Sequence, residues 1–522
     1  GAITVNGSAL ASGNTVDLVA DGAIAAGKPV IIKSNGKAEQ VKSQNTAYGP
    51  TSFSEWIPNS SFTSTSQQIA QNGTDRDWVL AAYGTSASSA QLRFKSFNWV
   101  SGNTTGELIL GSGNGLDGTG RLSGLIYCPT RQMYVACWVP NFSSSSSSTQ
   151  FITLTQDASS NGTLTFKAKT EFGSGKRTHD IEYCGNGKFF TVHRLMSNDA
   201  ARISGPHTIN SNGTITINSS ELDFIAWNDA PNTHIARMEF NSDYSKFVVG
   251  WVRNSNNRAF ARCGTWNGSG GAGSGAISLG SELSLTSSGV GGMDWQTGFD
   301  LCCEKTSGKW VATYGFSNGS KAKCLSASGT SLSAGNETTI NSSNPDGRVA
   351  VTDNNTVNNV VTWAGRYSNG LGCANLIISQ TNTLNVDGGP NQMNGNYPEY
   401  GVDMFTNVGG IPSTGPDNVL IINQRQGSSE PRAYRATVAQ AGTNLSASNQ
   451  NFLGFAEDAI SDGNSGTIKL PGNVVGNQSG LTPGSRYYVT NDGAVAGGGS
   501  ASSAGGLAVA SDKLVIGWVP KS

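Results

Sequence analysis

The sequence predicts an all-β protein, a seven-bladed β-propeller over residues 49–450 on a small β base domain built from residues 1–48 and 451–522. Three observations predict it. One apolar, aromatic-bearing phrase recurs seven times through the middle of the chain. The same strand-turn neighbours accompany each copy. The two ends differ from that repeat and share a phrase with each other.

Composition sets the frame. Of 522 residues 68 are Gly, and only 13% are charged, against roughly 25% for an average globular protein. The formal net charge is −1, so nothing draws the chain as a whole toward nucleic acid or an anionic membrane. Eleven Trp, 13 Tyr and 19 Phe are far more than a disordered chain carries, which leaves a folded, turn-rich protein with a neutral polar surface. No stretch reaches the roughly 18 consecutive apolar residues of a membrane helix. No basic region followed by an apolar core opens the chain, so a signal peptide is not expected. The eight Cys form no CxxC pair and lie in apolar runs such as "LIYC" and "DLCC", so they are expected to be buried free thiols rather than zinc ligands.

The repeat comes first, because repeats decide a fold. "DRDWVLAAYG" (75–84), "RQMYVACWV" (131–139), "NGKFFTVHR" (186–194), "YSKFVVGWV" (244–252), "SGKWVATYG" (307–315), "VNNVVTWAG" (357–365) and "PDNVLIINQ" (416–424) align on Val79, Val135, Phe190, Val248, Val311, Val361 and Leu420. The successive gaps are 56, 55, 58, 63, 50 and 59 residues. An apolar strand precedes most copies ("SGLIYCPT", "HDIEYC", "IARMEFN", "GFDLCCEK"), and a third strand follows ("QLRFKSF", "FITLTQ", "RAFARCGTW"). Three or four antiparallel strands therefore fill each repeat. One such sheet cannot cover both faces alone, whereas radial packing around an axis covers them and leaves short edges. For the first blade, "EWIPNSSF" (55–62) is expected to supply the innermost strand. The architecture resembles the broad kelch and WD40-like propellers, although neither the WD signature nor a repeating double glycine is present.

At the ends, "AAGKPVIIKSNGKAEQV" and "TPGSRYYVTNDGAVAGG" align when Gly27 is set on Gly484 and Gly36 on Gly493. Asn35-Gly36 and Asp492-Gly493 are hairpin turns by their chemistry, since type I′ geometry needs positive φ. The ends read as two halves of one divided domain with the propeller inserted between them, and "GKPVIIKSNG" and "GSRYYVTNDG" are expected side by side. With "FLGFAEDAISDGNSGTIKLPG", these phrases resemble a small β-module of tailed-bacteriophage structural proteins of the tail-fibre and appendage type. The resemblance covers about 110 residues. It implies a virion structural protein (tail fibre, head appendage or capsid decoration) at the particle surface, facing the host. It also implies other virion proteins and further copies of this chain as partners, and a host-surface glycan as ligand.

Chemistry is sparse. His179 and His234 hold similar places before first strands, and only Asp180 lies nearby, so no metal site and no cofactor is expected. His193 and His207 are the other two histidines, and His193 reads as a satisfied strand residue. Gly113, Gly115 and Gly118 spell G-x-G-x-x-G without the strand and helix that a nucleotide needs. Asp180, Asp294, Asp300 and Asp403 fall near blade-initial strands, so an acidic cluster at the axis is the one enzymatic prospect, a glycosidase-like pair. Sialidase-type Asp boxes are missing, and no enzyme is expected; a carbohydrate-active propeller enzyme or secreted lectin is the alternative. "NSDYS" (241–245) and "DNNTVNN" (353–359) offer oxygen ligands but read as hairpin turns, and the Ser run 143–148 as a solvated tip. Trp138, Trp251, Trp310 and Trp363 are expected between blades, not as ligand platforms. Catalytic and ligand-binding residues are therefore not assigned from sequence.

Overall fold

The structure, a computed structural model, describes residues 4–5, 8–9, 15–33, 36–41, 50–52, 64–72, 78–85, 91–98, 107–111, 116, 120–140, 148–157, 162–197, 200–225, 236–253, 256–288, 290, 298–316, 319–342, 349–353, 359–367, 370–379, 381–394, 398–406, 417–425, 431–438, 452–489, 493, 495–497 and 504–518. The chain divides into two compact units, Thr46–Val438 and a second made of Gly1–Asn45 with Ala439–Ser522.

The larger unit contains, among the described residues, seven antiparallel meanders. Their first strands are Ser64–Gln71, Gly120–Cys128, Lys176–Tyr183, Ala236–Phe240, Phe299–Glu304, Val349–Asp353 and Pro398–Thr406. Each neighbours the first strand of the next meander, and Pro398–Thr406 neighbours Ser64–Gln71, so the order is cyclic. This is a β-propeller. The first meander begins with Ser64–Gln71 rather than with 55–62, a stretch outside the described residues. Ser64–Gln71 escaped the sequence reading because "STSQQIAQ" is largely polar and lacks the apolar run of the other first strands.

Every aligned apolar position falls on the second strand of its meander, and Val79, Val135, Phe190, Val248, Val311 and Val361 are fully buried. Met133–Pro140 is buried at each of its positions. A strand covered on both faces reads as a continuous apolar run and not as an alternation, which is why the phrase was visible. The covering comes from the neighbouring meanders. Leu80 and Phe94 of the first pack with Leu122, Tyr134 and Trp138 of the second. Phe190 and Ile203 of the third pack with Trp251 and Phe260 of the fourth. Trp310 and Trp363 lie in the next two such cores. All four strand-centred tryptophans are thus core residues, and the Trp310 indole N–H donates to the Glu239 carbonyl at 3.0 Å. All eight cysteines are buried and free.

The last meander is completed from the other end of the unit. Pro50–Ser52 pairs antiparallel with Pro431–Val438, Ser52 opposite Tyr434 and Pro50 opposite Ala436. Pro50 can sit there because it starts an edge strand, where a missing N–H costs no ladder bond.

The smaller unit contains two five-stranded sheets of identical order. In the first, Thr15–Val19, Ser465–Lys469, Phe452–Ala456, Pro29–Ile32 and Ala38–Gln40 lie side by side. In the second, the order is Val474–Val475, Lys513–Trp518, Ala504–Ala510, Arg486–Val489 and Val495–Ala496. The match extends to single hydrogen bonds. Gly27 N donates to Ala456 O at 2.9 Å, and Gly484 N donates to Ala508 O at 2.8 Å. Ala456 N returns to Lys28 O, and Ala508 N to Ser485 O. Gly27 and Gly484 both have positive φ, 71° and 84°. The unit is a duplicated motif, and in the first copy the propeller interrupts the chain between the third and fourth strands.

The aligned phrases lie against one shared core, with Ile31 of the first and Val489 of the second both part of it, but they are not hydrogen-bonded to each other. They occupy the same place in two different sheets. Those sheets share a core in which Ile31, Phe452 and Phe455 of the first meet Val475, Val489, Ala508 and Leu514 of the second. Alternation explains the arrangement: Val30, Ala456 and Ile468 of the first sheet point to the other side, into a separate core with Ile24 and Ile460. Gly454 and Gly506 are also equivalent, and a Cβ at either would run into the carbonyl oxygen of the partner strand, that of Lys469 or of Val515. Gly454→Ala and Gly506→Ala are each expected to destabilise this unit by about 1–3 kcal/mol, the usual range for overpacking. Thermal melts that leave both variants unchanged would remove the equivalence argued here.

Candidate functional site

The first strands of the third to sixth meanders carry six acids: Glu304 holds its own turn, accepting from Thr306 N and Ser307 N, and the other five are Asp180, Glu182, Glu239, Asp300 and Asp353. Their carboxylates bind the backbone of adjacent first strands. Asp180 accepts from Ile181 N at 3.0 Å and from Met238 N, one meander on, at 2.9 Å. Asp300 accepts from Val351 N at 2.8 Å. Glu182 and Glu239 accept in the same manner from Phe240 and Cys303, and Asp353 accepts from Lys305, in the turn that follows the strand Phe299–Glu304. In the first meander Ser66 does this with a hydroxyl, accepting from Leu122 N at 2.7 Å. These side chains are brackets between blades. A hydrogen bond to a neutral group contributes about 1 kcal/mol.

Asp353 is buried and the other four brackets are half-buried, and that shifts their titration. Burial pushes Asp180 up to about 7, with Arg237 opposing. Burial pushes Glu239 up to about 8 and Asp353 to about 7, both opposed by Lys305. Asp300 and Glu182 are raised in the same direction, again by burial. Arg237 stands among them, its Nε 3.4 Å from Asp300 Oδ1 and its NH1 donating to His179 O at 3.1 Å.

The sequence-derived candidates sort as follows. Asp180 and Asp300 do lie on first strands, but each is held by its neighbour's N–H. His179 is buried on the strand Lys176–Tyr183. His193 is buried 3.5 Å from Glu221, whose carboxylate also holds Lys176 at 2.5 Å and Arg202 at 2.7 Å. Burial alone would raise Glu221, yet its bonds to His193 and Lys176 outweigh that and hold it low. His207 is pushed down to about 3 by burial and by His193. Its Nδ1 accepts from Asn218 N at 3.1 Å, which leaves Nε2 facing Ser204 and Thr191. Asp294, His234, Gly113, Gly115 and Gly118 lie outside the described residues, as do most of 143–148 and of 353–359, and so does the side chain of Asp403. Among the described residues no three metal-type ligands converge. In "NSDYS" the oxygens serve the turn: Asn241 Oδ1 accepts from Lys246 N and Asp243 Oδ1 from Ser245 N, both at 2.9 Å.

A feature that sequence reading missed lies beside that turn. A cleft of about 540 Å³ opens where the first-to-second-strand turns of the second, third and fourth meanders meet the end of the strand Ala259–Trp266. Tyr183, Tyr244 and Trp266 line it, with Asn186, Asp243 and Asn267 among them. Its size falls within the range of roughly 300–1,000 Å³ typical of small-molecule sites. The Tyr183 and Tyr244 rings meet edge to face with centroids 5.8 Å apart. Tyr244 has φ 57°, a left-handed conformation that bulky residues rarely adopt. In comparable turns the positive φ falls on Gln132, Asn186, Gly187, Gly308 and Asn359. The clue in the sequence was a tyrosine in a turn slot where glycine or asparagine is cheaper.

No protein-family model and no curated protein matches the sequence. Solved structures do. A protein of Bacteroides fragilis NCTC 9343, described as a candidate 6-phosphogluconolactonase, is 12% identical with a TM-score of 0.44, over 71% of this chain and 97% of that one. The Hadza microbial sialidase Hz136 is 7% identical with a TM-score of 0.41, over 72% and 66%. The β-propeller domain of the Trilobed protease from Pyrococcus furiosus is 8% identical with a TM-score of 0.36, over 72% and 97%. The propeller assignment rests on the strand pairing and the cyclic order of first strands, not on these scores.

Proposed function

We propose that this chain is a non-enzymatic recognition protein whose propeller is a rigid scaffold for a binding cleft on its inner-hairpin turns. The observation that supports this reading is the use of the axial carboxylates. A glycosidase needs two carboxyl groups presented to a substrate from opposite sides. Here Asp353 is buried, Asp180, Glu182, Glu239 and Asp300 are half-buried, and all five are spent on backbone N–H groups. A raised carboxyl is what a general acid needs, yet in Asp180 both oxygens already accept from the backbone. The setting of a virion structural protein, fixed to other virion proteins and to further copies of itself through the base and facing the host surface, is carried by the phrases of the base domain alone.

The test of the non-enzymatic reading is turnover. Neutral and sialylated oligosaccharides and a host-surface polysaccharide are incubated with the protein and assayed for new reducing ends. No release is expected, and catalytic release of sugar would sink the reading in favour of a carbohydrate-active enzyme. The virion setting is tested by mass spectrometry of purified particles, where absence of the chain defeats it.

A further inference from the structure

The geometry points to a neutral saccharide, a pyranose with an unsubstituted apolar face, as the occupant of the cleft between the turns that carry Asn186 and Tyr244. This rests on the recognition reading and names its ligand class. Three features argue for it together.

The first is the mixture of surfaces. Sugars present a C–H face and a hydroxyl rim. They suit sites where aromatic rings lie next to carboxylate and amide groups, because the rings take the apolar face while the polar groups fix orientation. The half-buried Tyr183 and Tyr244 supply rings, the buried Trp266 adding only a small exposed part, and the exposed Asn186, Asp243 and Asn267 supply the polar groups.

The second is the sign of the charge. No Lys or Arg lines the cleft. Arg131, close to Gly187 at the neighbouring turn, is tied to Ile209 O at 3.0 Å. Asp243 is exposed, and its bonds with Ser245 hold its carboxyl below the usual range, so it is a fixed anion. A carboxylate accepts strongly from hydroxyl groups and repels an anionic ligand. Uronic and sialic acids are therefore disfavoured.

The third is where strain is stored. Tyr244 takes a left-handed conformation that costs roughly 1–2 kcal/mol in a non-glycine residue. Asparagine would satisfy the same turn with less strain. What tyrosine adds is a ring on the cleft wall and a hydroxyl that stays protonated, since burial pushes it up to about 12.

The test is ligand-observed saturation-transfer NMR on the full chain with methyl glycosides of glucose, galactose, mannose and N-acetylglucosamine, and with glucuronate and sialyllactose as anionic probes. At least one neutral glycoside is expected to bind, with both anions at least about tenfold weaker. Tyr244→Asn is expected to keep the fold and to weaken the neutral sugar at least about tenfold. Asp243→Asn is expected to weaken the neutral sugar and to narrow the gap to the anionic probes. Absence of binding by every neutral glycoside, a preference for the anions, or undiminished binding by a folded Tyr244→Asn protein each overturns the assignment. None of these outcomes releases sugar, so the non-enzymatic reading stands or falls separately in the turnover assay.

Discussion

Joining Val41 to Phe452 through the bridge of the second motif, GGGSASS at residues 497–503, is expected to yield a small protein that folds without the propeller. The grounds are the equivalence of the two sheets. In the second motif the third and fourth strands, Val495–Ala496 and Ala504–Ala510, are joined by those seven residues. In the first motif the corresponding strands, Ala38–Gln40 and Phe452–Ala456, have the same partners and the same glycine-to-alanine hydrogen bonds. Among the described residues, the shared core of Ile31, Phe455, Val489 and Leu514 is drawn entirely from this unit. The expected observations are a cooperative thermal transition and dispersed amide resonances, with protection at the Gly27–Ala456 and Gly484–Ala508 bonds. An excised protein that stays unfolded would mean that the ends are not an autonomous divided domain.

Stability of the whole chain is expected to fall as pH rises from about 6.5 to 8.5. Asp180, Glu239 and Asp353 keep their protons up to about 7, 8 and 7 when folded. In the unfolded chain they lose them near 4. Between those values the folded state binds more protons, so raising pH favours unfolding. His193 and His207 are lowered by burial and act in the opposite direction. Their contribution is largely complete about one pH step above the unfolded value of about 6.5, and from there the acids act in one direction with buried thiols such as Cys137 and Cys373, which burial raises above the value of about 8.5 at which an unfolded cysteine ionises. Calorimetry should show a melting temperature that drops by roughly 3 °C or more across this window. Glu239→Gln, which keeps an acceptor for Cys303 N but cannot titrate, should flatten the slope. A melting temperature that is level or rises over the same range would show that the brackets are already charged.

How much was legible in the sequence follows from what each feature does to residue choice. Burial on both faces writes itself as an apolar run, so the second strands and their fully buried valines stood out. First strands are narrower, and polar brackets interrupt their runs. Ser64–Gln71 was lost for that reason, and Asp180 and Asp300 looked like catalytic prospects when they are cross-links. The divided base showed through its hairpin glycines, but periodicity along a chain does not distinguish strands that pair from strands that repeat in successive sheets. The cleft left almost no trace, because Tyr183, Tyr244 and Trp266 come from three separate segments that only the ring of meanders brings together. A single misplaced tyrosine in "NSDYS" was its only mark.

The pairing of Pro50–Ser52 with Pro431–Val438 also bears on the order of events during folding. Bringing residue 41 to residue 452 through an unfolded intervening chain costs about 3 to 4 kcal/mol more loop entropy than closing the seven-residue bridge of the second motif. Once Ser52 lies opposite Tyr434, the two arms leading back to the base start from neighbouring strands and the effective loop becomes short. The closed propeller thus acts as a latch that lowers the entropic cost of completing the first motif's sheet, a cost the second motif, contiguous in sequence, never meets.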